Sequence, residues 1–570
     1  MIEQATEPIE ERPAVRCPIC GQRAEPALFR QSIELEEVVM RALVATFPDW
    51  RPDQGVCPAC VRRALDALAG TGQDLSSILS HHGARNDNPQ VAVGGRAPAL
   101  PVPLRLHANP LFRGRGVVLA LLDSGFYPHP DLVQPENRIL ATIDAMADPP
   151  IEGADFSRTE VRSWHGLMTS VVAAGNGYLS GGRYRGIASE ATLVLARVGQ
   201  PSMRIPDRDI IRGLRWIREH HRRFGIRVLN ISLGGDAEAT TATDPLELMV
   251  ESLVAEGIMV VAAAGNSGTR YIVPPASAPS VLTVGGASDQ NVLNTRLSTF
   301  QPWRSSFGPT RMGHQKPELV APSMLLAAPL LPGTRQAREA GRLARLLALD
   351  DPALLAARDA ARRALYLRTG ALDRLGVKEI RFLLNDRLAR HNWLSAGYQF
   401  VDGTSVAAPV VSSVAVQMIE ANPSLTPAAI KDLLMATAVP MQDVPAEKQG
   451  AGVVNPAGAV ARALRAPGGP LVGYPQSPAW EPDGGITFYY YNPRVRQVAL
   501  VGDFNGWFAA GYPFAELRPG LFRFHLAPLP PGYYRYKFLL DDTTAVDDPE
   551  SLDKEPDGYG GFNSCLTIAS

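Results

Sequence analysis

Four segments of this chain carry a carboxylate, an imidazole, a primary amide and a hydroxyl in local patterns suited to nucleophilic catalysis. A serine attacks a carbonyl only if an imidazole takes its proton, a carboxylate orients that imidazole, and donors await the developing oxyanion. GVVLALLDSGFYPHPDL places Asp123 at the end of an apolar run, the carboxyl end of a buried strand, where open α/β sheets hold their sites. Gly125 then permits a sharp departure from the sheet. HGLMTSVVAAG starts a helix of small and apolar residues with His165, and Gly166 leaves room around the imidazole. MVVAAAGNSG is a buried strand ending in Asn266, whose amide can point into a site. GTSVAAPVVSS puts Ser405 at a helix N-terminus, which favours negative charge, with Pro409 early in the helix where a missing N–H costs least. A rival base, His129, lies in YPHPDL only six residues from Asp123 and reads as a structural turn residue.

The elements that must position these groups follow from the pattern between Gly116 and about Leu464. Short apolar runs (VVLALLD, ATLVLARV, RVLNISLGG, GIMVVAAAGN, SVLTVGG) alternate there with helical patterns, as in a parallel sheet with crossover helices. Within it, residues 334–390 are rich in Ala, Leu and Arg, with 13 Arg/Lys against 7 Asp/Glu. They are expected to form two or three inserted amphipathic helices, either a helical surface module or a lid over the substrate path.

With the motifs in place, the segment from about Gly116 to Leu464 resembles the subtilisin-like serine proteases (subtilases), in their chain order Asp, His, Ser. VLNISLGG resembles the strand whose backbone, at Ser232, Leu233, Gly234 and Gly235, pairs with extended substrate. KPELVAPS resembles a Lys-Pro-Asp and Ala-Pro-Gly segment, with Glu318 and Ser323 as departures. QGAGVVNPAGAV resembles the closing segment, with Gly452 and Asn455 matching. Val406 and Val410 depart from a usual Met and His. The resemblance implies a serine endopeptidase with Asp123, His165 and Ser405 as triad and Asn266 in the oxyanion hole, acting on polypeptide substrates. Calcium sites are not readable from the sequence.

Two flanking regions complete the chain. Cys17, Cys20, Cys57 and Cys60 form two C-x-x-C pairs, the chemistry of a closed structural zinc site; redox-active pairs are the other reading. A helix is expected near Ser32–Phe47 between them. After Pro467–Pro482 the sequence alternates in ITFYYY, VALVGDF, LFRFHLA and YYRYKFLL, the pattern of a small antiparallel sandwich. VALVGDFNGW, YYRYKFLLD, Asp548-Pro549 and GFNSCLTI resemble the glycogen-binding modules. That resemblance implies sugar contacts by Trp507, Lys537 and Asn563. A second stacking tryptophan, due near Thr544 or Ala545, is absent, and Tyr559 is its substitute. The domain then binds a glucan, or it is a purely structural or protein-binding sandwich.

The expected fold class is an α/β parallel-sheet, subtilisin-like catalytic domain flanked by a small zinc-binding domain and an all-β immunoglobulin-like sandwich. The expected layout is 1–70 cysteine module, 71–106 linker, 107–465 catalytic domain, 466–482 linker and 483–570 sandwich. A net charge of −1 and 20% charged residues give no basic surface for nucleic acid, and no apolar run approaches the length of a membrane span. An acidic N-terminus without an apolar h-region and paired cysteines without a disulfide framework make the expected location cytoplasmic. The overall expectation is a regulated intracellular protease, ahead of an idle scaffold or a zinc-dependent nucleic-acid binder.

Overall fold

The computed structural model describes residues 99–569 apart from short stretches at 203–204, 236–237, 240–242, 294–295, 509, 552 and 560, and parts of residues 15–67 before them. Two compact units result: Asn88–Tyr474, and Met1–Asp87 together with Pro475–Ser570. In the second unit, strands β1 (Val15–Arg16) and β2 (Arg23–Ala24) pair antiparallel. Most of the expected helix Ser32–Phe47 lies outside the described residues; residues 43–46 are helical.

The larger unit is built on one sheet. Its strands are β3 (Val118–Asp123), β4 (Ile139–Asp144), β5 (Ile151–Glu152), β6 (Thr192–Arg197), β7 (Ile226–Ile231), β8 (Met259–Ala263), β9 (Leu282–Ser288), β10 (Gln301–Pro302) and β11 (Leu319–Pro322). Among the described residues the order is β10-β9-β8-β7-β3-β6-β4-β5, with β11 also on β9. The strands from β4 through β9 and β11 pair in parallel, and β5 and β10 are antiparallel edges. Helices cover both faces, which is why the central strands are apolar throughout rather than alternating. Ala120 and Leu122 point into a core shared with helices Asp207–Phe224 and Pro245–Ala255. By strand alternation Asp123 faces the other side, where helices Ser163–Ala174 and Thr404–Ala421 pack together. β3 lies between β6 and β7, so the connections leaving it diverge and open a crevice at its carboxyl end.

Helix Thr404–Ala421 is apolar and long enough to pass for a membrane span by composition, but 89% of it is buried in this fold. Pro409 is its sixth residue, not a first-turn residue as expected. The hydrogen bond lost there frees the Ser405 carbonyl, which accepts Ser232 Oγ at 3.1 Å instead.

Residues 334–390 grow from a hairpin of β12 (Leu326–Pro329) and β13 (Tyr398–Val401). They form four helices rather than two or three: Arg335–Leu347, Asp351–Ala356, Arg358–Ala364 and Val377–Arg390. The Asp350 side chain caps a fresh start at Ala353 N, and Pro352 favours that first turn, so the long Ala/Leu pattern breaks. Leu343, Leu354, Ile380, Leu384 and Trp393 give the insertion an apolar core of its own. The expected linkers are partly structured. Residues 102–105 are helical, with Arg105 fully buried. Asn422 Nδ2 binds the carbonyls of Ala463 and Pro467, and Ala479–Trp480 pairs with Ile486–Thr487 at the start of the sandwich. Beyond it, Ile486–Tyr491, Val498–Gly502, Leu521–Leu526 and Gly532–Leu540 are strands of two antiparallel sheets packed on an aromatic-rich core.

The departure at Glu318 lies in a buried ionic cluster. Lys316 Nζ, 1% exposed, donates to Glu318 Oε1 at 2.7 Å and to the carbonyls of Ala278 and Val281. Lys431 Nζ reaches the same oxygen, and Glu318 Oε2 accepts Thr283 N. Burial pushes the Lys316 ammonium down to about 8, with the Glu318 charge opposing. Glu318→Ala leaves two cations without their shared counter-charge. Chemical denaturation should show a loss of about 3–5 kcal/mol, the cost of breaking a buried pair from one side.

Candidate active site

Three strand ends and two helices converge at the crevice. Asp123, 1% exposed at the end of β3, is a buried carboxylate that must be fully hydrogen-bonded. Its Oδ1 accepts Ser124 N at 2.6 Å and faces His165 Nδ1 at 2.7 Å, and its Oδ2 accepts Thr169 Oγ1 at 3.0 Å. His165 and Thr169 are four residues apart on one helix, so both side chains fall over the same carboxylate. That i, i+4 spacing was legible in HGLMT, and the sequence reading passed over Thr169.

Gly166 is required for a reason other than the one expected. A Cβ there would lie 2.0 Å from the Gly125 carbonyl oxygen and 2.9 Å from the Phe126 ring, so it is the loop after β3, not the imidazole, that needs the space. His129 is buried and accepts Asp131 N through Nδ1, capping the short helix Pro130–Val133, as its structural reading expects.

After β8 the chain reaches Asn266. Its Oδ1 accepts both Thr404 N (3.0 Å) and Thr404 Oγ1 (2.9 Å), which turns the amide nitrogen the other way. Gly403 adopts φ 140°. The vacant Cβ position of Gly403 is 3.7 Å from Asn266 Nδ2 and 3.7 Å from Ser405 N. Ser405 Oγ makes a long 3.4 Å contact with the Ser232 carbonyl. Among the described residues it makes no hydrogen bond to His165.

Ser232–Gly235 follow β7. Ser232 is tied into the floor by a relay in which Asn230 Nδ2 donates to Ser232 Oγ and Ser412 Oγ donates to Asn230 Oδ1. Leu233 packs on the core, and Gly235 N is taken by the Pro274 carbonyl at 2.8 Å. A Cβ on Gly234 would meet Val273 at 2.8 Å.

The four cysteines meet as their spacing suggests. Cys17 and Cys60 sulfurs are 3.9 Å apart, Cys20 and Cys57 sulfurs 3.8 Å, and all four lie within 4.8 Å of one another. A disulfide needs about 2.05 Å. Four thiolates around a tetrahedral ion with bonds of about 2.3 Å would stand roughly 3.8 Å apart, so the cluster fits a metal ion.

On the sandwich, Trp507, Lys537 and Asn563 share one sheet face. Trp507 packs on Ala499, Val501 and Leu539 and donates Nε1 to Asp503 at 2.8 Å. Val501 pairs with Lys537, and the Tyr536–Ser564 pair sets Asn563 beside it. Tyr559 N binds Asp557. Lys537, however, is buried, and its ammonium is engaged by the Asp557 carboxylate at 2.5 Å rather than held open for a ligand.

A family profile described as Subtilase family matches residues 114–459, and one for carbohydrate-binding module 48 (isoamylase N-terminal domain) matches residues 475–554. The chain belongs to the subtilase family and carries a carbohydrate-binding-module-like domain later in its sequence. Serine protease AprX of Bacillus subtilis (strain 168) is 30% identical over 349 residues, 60% of this chain and 65% of that protein. Subtilisin BL of Lederbergia lenta is 33% identical over 189 residues, 33% of this chain and 61% of its own length. The chain thus spans less than two thirds of these relatives. The solved protease domain of PatA is 21% identical and aligns with 62% of this chain and 98% of its own at a TM-score of 0.42.

Burial lowers the His165 pKa, but the Asp123 charge and hydrogen bond outweigh it and raise the imidazole above its usual 6.5. A raised folded-state pKa means that the pair's stabilisation is complete below the unfolded value and fades as pH rises through the folded one. In Asp123→Asn only burial acts. His165 should then titrate below 6.5 instead of above it, read from the imidazole Cε1–H resonance by NMR.

Proposed function

We propose that this chain is a serine endopeptidase in which Asp123, His165 and Ser405 act as the triad and Asn266 completes the oxyanion hole. The observation that carries the reading is that Asn266 Nδ2 and Ser405 N both lie 3.7 Å from the vacant Cβ position of Gly403, in a fold that also holds His165 on a buried carboxylate. Ser405 Oγ attacks the peptide carbonyl as His165 Nε2 takes its proton and then passes it to the leaving amine. Asp123 holds the proton on Nδ1 and stabilises the imidazolium, and the two N–H groups stabilise the tetrahedral oxyanion. Water, activated by the same histidine, releases the acyl group. Extended substrate runs along Ser232, Leu233 and Gly234, while Gly235 anchors that segment to Pro274.

The same reading makes the cysteine cluster a structural zinc site of Cys17, Cys20, Cys57 and Cys60, closed to substrate because all four positions are thiolates. Thiol pairs kept reduced suit a cytoplasmic, regulated enzyme. The sandwich serves as a targeting element for a glucan or protein partner, with Trp507 as its ring platform.

A fluorophosphonate probe should label the full-length chain and fail to label Ser405→Ala. Asn266→Ala should turn over peptide roughly 10²–10³ more slowly, a magnitude that belongs to subtilisin, itself a member of this family. Labelling that persists in Ser405→Ala would sink the assignment. Metal analysis of the purified chain should find one zinc per molecule, lost in Cys17→Ser/Cys60→Ser; a metal-free, folded parent would remove the zinc reading.

A further inference from the structure

Arg105 lies in the segment read from sequence as a linker, yet its side chain is 0% exposed. So is that of its partner, Asp289, just beyond β9. The guanidinium makes a two-pronged pair with the carboxylate, Nε to Oδ2 at 2.7 Å and Nη2 to Oδ1. Two further donors reach consecutive backbone carbonyls, Leu325 through Nη1 at 3.0 Å and Met324 through Nη2 at 2.8 Å. A wholly apolar pair could pack such a site at least as well, so packing alone does not account for a charge here. What the charge adds is direction.

Leu325 adopts φ 55°, a left-handed conformation that the Cβ of an L residue opposes. Such a residue persists only where its surroundings over-determine it. Arg105 holds its carbonyl from one side. From the other, Asp402 Oδ1 accepts the Leu325 N–H at 2.7 Å. Asp402 directly precedes Gly403, Thr404 and Ser405. Gly403 N is tied to the same stretch, donating to the Ser323 carbonyl at 2.8 Å. The sequence Asp289–Arg105–Leu325–Asp402–Gly403 is therefore an unbroken run of hydrogen bonds and chain ending on the turn that aims the Ser405 hydroxyl and N–H.

We infer that Arg105 and Asp402 are positioning residues for the nucleophile turn, acting through the strained Leu325, and that residues 99–106 are a working part of the active site. This rests on the hydrolase reading above. Neither side chain needs to touch substrate. The strap fixes where the Ser405 hydroxyl and the oxyanion donors point, and a displacement of about 1 Å at such a turn can cost on the order of 10²-fold in rate.

The test is the saturable kinetics of fluorophosphonate labelling of the full-length chain, with the unfolding midpoint of each variant measured alongside. Asp402 is exposed, so Asp402→Ala should fold. Its maximal labelling rate should fall by about 10- to 100-fold with half-saturation unchanged. Asp402→Asn, which keeps the acceptor oxygen, should recover most of that rate. Leu325→Gly, which removes the opposition to positive φ, should restore much of the rate to Asp402→Ala and to Arg105→Met/Asp289→Leu, whose buried pair is neutralised together. A purely structural role predicts the opposite: folded Asp402→Ala labels at the parent rate, or Leu325→Gly gives no recovery in either background. Either result overturns the inference. No labelling of the unaltered chain would overturn it together with the hydrolase reading.

Discussion

A carboxylate taken out of water must be satisfied from every side, and Asp123 imposes that demand at the end of the central strand. The strand delivers it there because alternation turns residue 123 away from the core lined by Ala120 and Leu122. The backbone at Ser124, the hydroxyl of Thr169 and the imidazole of His165 answer it. Two of these come from one helix, so the helix register is coupled to the carboxylate. Gly166 lets that helix lie against the loop after β3 at a distance no side chain would allow. The position, tautomer and raised pKa of the histidine all descend from this one buried charge.

The other half of the site is organised by the turn at Gly403. Thr404 orients the Asn266 amide, and Pro409 releases the Ser405 carbonyl to Ser232, which ties the serine helix to the end of β7. Asn266 Nδ2 and Ser405 N then both lie 3.7 Å from the point a Cβ at 403 would occupy. The insertion enters the same neighbourhood, since β13 runs from its last helix toward Asp402. It carries its own apolar core and departs from a hairpin, so the catalytic sheet is left uninterrupted.

Much of this was legible in the residues. The buried strands, the Asp, His, Asn and Ser segments and the antiparallel tail each have a local pattern that packing then reinforces. The paired cysteines were also readable, because a C-x-x-C turn presents two thiolates whatever surrounds it. What escaped reading depends on distant partners. Arg105 sits among Pro, Ala and Leu residues typical of a linker, and only the fold supplies Asp289, 184 positions away, to explain it. Pro409 lies deep enough in its helix to cost a hydrogen bond, and the sequence does not show that Ser232 takes up the freed Ser405 carbonyl. Lys537 occupies the strand position that the sequence suggests for a sugar contact, but its burial called for Asp557, which no local pattern announces. The four-helix form of the insertion turned on the Asp350 cap, a one-residue signal inside a long Ala/Leu stretch.

In the proposed mechanism, negative charge develops on the reacting carbonyl in the space before Gly403. The most direct measurement is a crystal structure of the chain after reaction with a fluorophosphonate. Phosphorus should be bonded to Ser405 Oγ, with a phosphonyl oxygen roughly 2.7–3.1 Å from both Asn266 Nδ2 and Ser405 N. A phosphonyl oxygen directed to solvent, with either donor unengaged, would contradict that mechanism.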